Sequence, residues 1–91
     1  MQAARRFVVK GRVQGVGYRY FAIRAAAETG VVGTVRNLPD GSVEAIAEGS
    51  VEALEEFRQE LARGPSYGHV TSVDETKLDS TGRYRGFNVI Y

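Results

Sequence analysis

The way hydrophobic periodicity changes along the chain predicts an α+β fold: a ferredoxin-like βαββαβ sandwich, with an antiparallel sheet, both helices on one face and a short extra C-terminal strand. Three observations carry that reading. Apolar residues alternate every second position in some segments and recur every three or four positions in others. Gly30 and Gly64-Pro65 stop the two helical stretches, as glycine just past a helix end does. Pro39-Asp40-Gly41 joins two strand-like segments directly, with residues that each suit a tight reversal. The chain's 91 residues make one domain, 1–91.

Phe7, Val9 and Val13 alternate with Lys10 and Arg12 in the first strand. From Tyr18 the period lengthens: Tyr18, Phe21 or Ala22, Ala25 and Thr29 share one helix face. That face is small, with Ala25, Ala26 and Ala27, so the helix can lie close to a sheet. Residues 31–38 return to strand composition, and residues 42–48 set Val43, Ala45 and Ala47 against Glu44, Ile46 and Glu48. A second helix covers 51–63, with Ser50 as N-cap and Val51, Leu54, Phe57 and Leu61 as its buried stripe. Residues 69–78 read as a long edge strand, 79–85 as a polar turn, and Phe87, Val89 and Tyr91 as the last strand.

Composition narrows the chemistry. Apolar residues make up 43% of the chain, ordinary for a folded domain. Twelve basic residues face eleven acidic ones for a net charge of +1, so any attraction for anions must be local rather than global. The absence of cysteine excludes disulfides, thiolate zinc sites and thiol catalysis. His69, the one histidine, cannot build a multi-histidine metal site, and its place before an edge strand marks it as a surface residue. No apolar run reaches the ~18 residues of a membrane span, and no signal-peptide core stands at the N-terminus. A small, soluble, cytoplasmic protein is expected.

The run Gly11-Arg12-Val13-Gln14-Gly15-Val16-Gly17-Tyr18-Arg19 is the stretch richest in chemistry. Glycines at 15 and 17 let the backbone turn tightly and gather N–H groups in one concavity. The helix start beyond adds unpaired N–H groups and partial positive charge. Arg19 brings a planar fork of donors suited to two oxygens of a phosphate or carboxylate. The parts describe an anion cradle, although glycines between a strand and a helix also serve simply as a connection. The pattern is neither a Walker-type loop nor a dinucleotide fingerprint. Asn37, just before the Pro39-Asp40-Gly41 turn, is the second candidate. An asparagine there commonly bonds its own backbone; if the fold sets it near Arg19, its amide can hold a water beside a bound phosphoryl group. Glu55, Glu56 and Glu60 form a solvated helix face, and the tyrosines are assigned to core or edge packing.

The run over residues 11–19 resembles the first signature of the acylphosphatase family, and Gly33-Thr34-Val35-Arg36-Asn37-Leu38-Pro39-Asp40-Gly41-Ser42-Val43-Glu44 resembles the second, closed by Gly49. Gly86-Phe87-Asn88-Val89-Ile90-Tyr91 is similar to the family's last strand. The likeness spans the chain in order. It implies hydrolysis of acyl phosphates to a carboxylate and inorganic phosphate, with no metal and no cofactor. Carried over by position, the phosphate site is Gln14, Gly15, Val16, Gly17, Tyr18 and Arg19, with Arg19 joined by the N–H groups of residues 15–18. The same resemblance implies that Asn37 orients the attacking water, which makes Arg19 and Asn37 the expected catalytic pair. Two residues depart from the family pattern: Thr34 replaces a large aromatic, with a change in packing expected beside the site, and Tyr18 replaces phenylalanine.

The expected partners are a small-molecule acyl phosphate and inorganic phosphate as product and inhibitor, with no nucleic acid, no membrane and a monomeric protein. Two other functions compete. One is a non-catalytic module that holds a carboxyl- or carbamoyl-phosphate for a larger enzyme, against which a stand-alone domain is expected. The other is an RNA-binding sheet, which the neutral charge and the lack of strand-borne aromatics disfavour.

Overall fold

Seven elements follow in the expected order over residues 2–91, which the computed structural model describes: β1 (Gln2–Arg12), α1 (Tyr18–Thr29), β2 (Val32–Asn37), β3 (Val43–Ser50), α2 (Val51–Arg63), β4 (His69–Leu78) and β5 (Phe87–Val89). The strands form one five-stranded sheet in the order β4-β1-β3-β2-β5. β1 pairs antiparallel with both β3 and β4, and β2 pairs antiparallel with β3. β5 instead runs parallel to β2, so the sheet is mixed rather than wholly antiparallel. The reason is topological. The chain leaves β4 at one edge, crosses to the other, and arrives beside β2 already pointing in β2's direction.

Alternation within the strands sends Phe7 and Val9 of β1, Val35 of β2 and Val43, Ala45 and Ala47 of β3 to the face that carries both helices. Ala22, Ala25 and Ala26 bring α1 close to that face, and Gly30 closes the helix by donating its N–H to the Ala26 carbonyl at 2.8 Å. α2 begins where the Ser50 hydroxyl accepts the Ala53 N–H at 3.0 Å. Glu52 in its first turn and Arg63 in its last complement the helix dipole. Its stripe of Leu54, Phe57 and Leu61 is buried. Val51, expected in that stripe, is 49% exposed, because the first turn leaves the end of β3 before the helix lies on the sheet. Phe57 packs edge-on between Phe7, with ring centroids 5.8 Å apart, and Phe87, with ring centroids 5.5 Å apart.

The helix-free face departs from a simple polar surface. Glu44 and Glu48, placed by alternation on the water side, are both buried. Arg6 and Arg36 each donate through Nε to one carboxylate oxygen of Glu44, at 2.7 and 2.8 Å. Burial alone would raise the Glu44 pKa; the two guanidinium hydrogen bonds and charges outweigh it and hold it below the ordinary value. Glu48 is clasped by the β4–β5 connector. It accepts from the Ser80 hydroxyl, from the Thr81 N–H and hydroxyl, and from the Gly82 N–H. These bonds likewise overcome the cost of burial and lower its pKa. The connector thus crosses the open face on Glu48 and delivers β5 to the far edge.

Candidate active site

β1 ends and α1 begins on either side of a five-residue loop, 13–17, whose shape depends on two left-handed glycines. Gly15 has φ 75° and Gly17 has φ 78°, values an L side chain rarely adopts. Gly17 is the N-cap of α1, so no side chain caps the helix, and no acidic residue occupies its first turn. Among the described residues, the N–H groups of Gly15, Val16 and Gly17 donate to no other main-chain group. Uncapped first-turn donors lie directly beyond them. The result is a concavity of free N–H groups at the positive end of a helix of 12 residues.

Arg19 stands in that first turn. It makes no ion pair among the described residues. Its guanidinium lies 5.5 Å from the centre of the Tyr91 ring, over the ring face. Asn37, the last residue of β2, falls in the same alternation as Val35 and therefore on the helix-bearing face. A cleft of about 300 Å³ opens there, lined by Gly15, Gly17, Arg19 and Asn37 together. The juxtaposition that the Asn37 reading required is met. Among the described residues Arg19 is the only charged side chain on the cleft wall.

Gln14 points elsewhere. Its amide Nε2 donates to the Leu38 carbonyl at 2.9 Å and to the Ser42 carbonyl at 2.8 Å, so its side-chain donors are spent on the β2–β3 turn. Tyr18 fills the core, 2% exposed, and its hydroxyl donates to the Leu61 carbonyl at 2.6 Å. A helical carbonyl at 61 would ordinarily accept from the N–H of residue 65, but residue 65 is proline and has none. The phenol supplies the missing donor, and burial pushes its pKa well above the ordinary 10.0. Thr34 does not lie beside the site as expected. It pairs with Ile46 and alternates with Val35, which puts it on the opposite, helix-free face.

The outer wall of the cleft went unassigned in the sequence. Tyr20, Ile23, Val89 and Tyr91 line it, and Tyr20 and Tyr91 are largely exposed. The similarity of the closing strand was the available signal, since β5 is what carries Val89 to the site. His69 begins β4 opposite Arg12, at the end of β1, and does not line the cleft. Among the described residues no three His, Cys, Asp or Glu side chains gather where they could hold a metal ion, and no helix is long and apolar enough to cross a membrane. The arrangement can bind a tetrahedral anion through main-chain and guanidinium donors, with a neutral amide alongside.

Residues 5–89 match the family model described as Acylphosphatase. The chain is 46% identical over 86 residues to an acylphosphatase of Solibacter usitatus, covering 94% of this chain and 88% of that one. It is 50% identical over 82 residues to an acylphosphatase of Thermus thermophilus, covering 90% and 92% of the two chains. Its fold superimposes on the crystal structure of the acylphosphatase from Bacillus subtilis with a TM-score of 0.93, at 37% identity and complete coverage of both chains.

Proposed function

The chain belongs to the acylphosphatase family and is a hydrolase of acyl phosphates, and on that premise we propose how its residues divide the reaction. The N–H groups of Gly15, Val16, Gly17 and Tyr18, with the Arg19 guanidinium, hold the phosphoryl oxygens. Gln14 contributes to this site through its main chain only. Asn37 holds a water through its side-chain amide, in line with the bond to be broken. The water oxygen bonds to phosphorus, the phosphorus–oxygen bond to the acyl group breaks, and the carboxylate leaves with the electron pair. The water proton passes to a phosphoryl oxygen.

The observation that supports this division is the meeting of uncommitted donors, an unpaired Arg19 and Asn37 on one cleft. A mixed anhydride has a good leaving group, so positioning and charge stabilisation can supply most of the rate. In a loose transition state charge spreads over the equatorial oxygens, where the cradle's fixed dipoles act. Such a site takes no metal and no cofactor, and inorganic phosphate, which shares the tetrahedral oxygens, competes with substrate. We place the reaction in a monomer, since one chain supplies every group invoked, and propose the cytoplasm as its compartment.

The deciding experiment compares Asn37→Ala with the unaltered enzyme on benzoyl phosphate. Losing one preorganised transition-state group costs on the order of 10²–10³ in turnover. Turnover should fall by about that much while the phosphate inhibition constant stays within about twofold, because Asn37 touches water rather than phosphate. Full turnover in Asn37→Ala would remove the amide from the mechanism.

A further inference from the structure

Gln14 stands in the phosphate loop, yet its side chain reaches the other half of the site. Its amide nitrogen has two hydrogens, and both are committed. One goes to the Leu38 carbonyl at 2.9 Å and one to the Ser42 carbonyl at 2.8 Å. Leu38 directly follows Asn37. Ser42 directly precedes Val43, the residue paired with Asn37 across β2 and β3. The same two carbonyls also close the turn itself, accepting from the Gly41 N–H at 3.1 Å and the Leu38 N–H at 2.8 Å. Asp40 braces the turn from within by accepting from the Ser42 N–H and hydroxyl. The end of the hairpin is therefore stiff, and Gln14 provides the side-chain hydrogen bonds that fasten the 13–17 loop to it.

We propose that the Gln14 amide is a positioning residue that fixes the distance between the phosphate cradle and Asn37. The inference rests on the reading of Asn37 as the group that orients water. The cradle's own shape comes from the torsions of Gly15 and Gly17, and Asn37's strand pairing comes from β3. Each half therefore persists without Gln14, and what is lost is their mutual placement. In-line attack is sensitive to such placement: a shift of about 1 Å can cost on the order of 10²-fold in rate. Phosphate binding uses only one half and is spared.

The test uses Gln14→Met, which keeps chain length but has no donor, and Gln14→Glu, whose carboxylate would face two carbonyl oxygens. Both are measured with benzoyl phosphate for kcat and KM, with inorganic phosphate for inhibition, and alone and combined with Asn37→Ala. Circular dichroism monitors folding, and either folded variant suffices. The expected result is a fall in kcat of about tenfold or more, with KM and the phosphate inhibition constant within about twofold. In the Asn37→Ala background the same substitution should change kcat by less than about twofold, because the group that Gln14 places is already gone. A purely structural role would lower the melting temperature and leave the kinetic effects additive. Unchanged kcat, an equal loss of phosphate affinity, additive losses, or collapse of the fold in both variants would each overturn the proposal. If Asn37→Ala alone keeps full turnover, the water-orienting reading itself fails, an outcome distinct from a failure confined to Gln14.

Discussion

Replacing Tyr18 with phenylalanine removes one oxygen atom and leaves the ring in place. What it exposes is the Leu61 carbonyl, which receives the hydroxyl at 2.6 Å and has a proline where its helical donor would stand. The pair is buried, so water is poorly placed to substitute. A buried acceptor stripped of its donor costs about 1–3 kcal/mol. For a domain of this size each kcal/mol moves the melting temperature by about 4–8 °C. Tyr18→Phe should therefore lower stability by about 2 kcal/mol in urea or thermal unfolding, an expected drop of roughly 8–16 °C. The sign with pH is also fixed. Burial raises the folded pKa of the phenol above its ordinary 10.0, so its contribution is complete below about pH 10 and is lost as pH rises toward the folded value. The gap between the two proteins should be flat from about pH 6 to 9 and shrink in stronger alkali. A loss below about 0.5 kcal/mol would refute the reasoning, since it would mean the Leu61 carbonyl finds another donor.

Arg19→Ala should lower kcat and raise KM together, because in the proposed division the guanidinium bears on phosphoryl oxygens before and during reaction; a change in KM alone would confine it to binding. Glu48→Gln should destabilise the fold at neutral pH by on the order of 1–3 kcal/mol, since an amide nitrogen would face donors of residues 80–82. Its folded pKa lies below the ordinary 4.5, so the deficit should be constant from about pH 6 to 8 and narrow as acid protonates Glu48 in the parent protein; a gap that widens in acid would contradict this. Inorganic phosphate should inhibit competitively in initial-rate assays, and overnight treatment with EDTA should leave kcat unchanged; loss of activity restored by a divalent cation would overturn the metal-free mechanism.

Most elements were legible because strand and helix periods differ and because Ser50, Gly30 and Gly64 sit at real helix ends. Arg19 and Asn37 were legible as candidate donors, but their meeting on one cleft was left conditional on the fold. The burial of Glu44 and Glu48 was not, because the groups that neutralise or bind them come from β1, from β2 across the hairpin and from a connector more than thirty residues away from Glu48. The parallel placement of β5 was hidden for a related reason. Three residues of strand carry little period, and their direction is set by the path of the preceding connector. With β5 went the wall formed by Val89 and Tyr91. Gln14 was legible by position but not by role, since a side chain's direction depends on which carbonyls the fold brings within reach.

The proposed phosphate site, written in main-chain N–H groups, has a consequence for how its chemistry can be edited. The donors proposed at 15, 16 and 17 belong to the polymer rather than to any side chain, so an alanine scan deletes none of them. At Val16, a substitution alters the surroundings and keeps the donor. At Gly15 and Gly17 it disturbs the left-handed torsions, rotating the donors away without removing one. Their loss would show as geometry, recoverable in part by a D-amino acid, which favours positive φ. In this loop the aim of the proposed donors is set by backbone handedness.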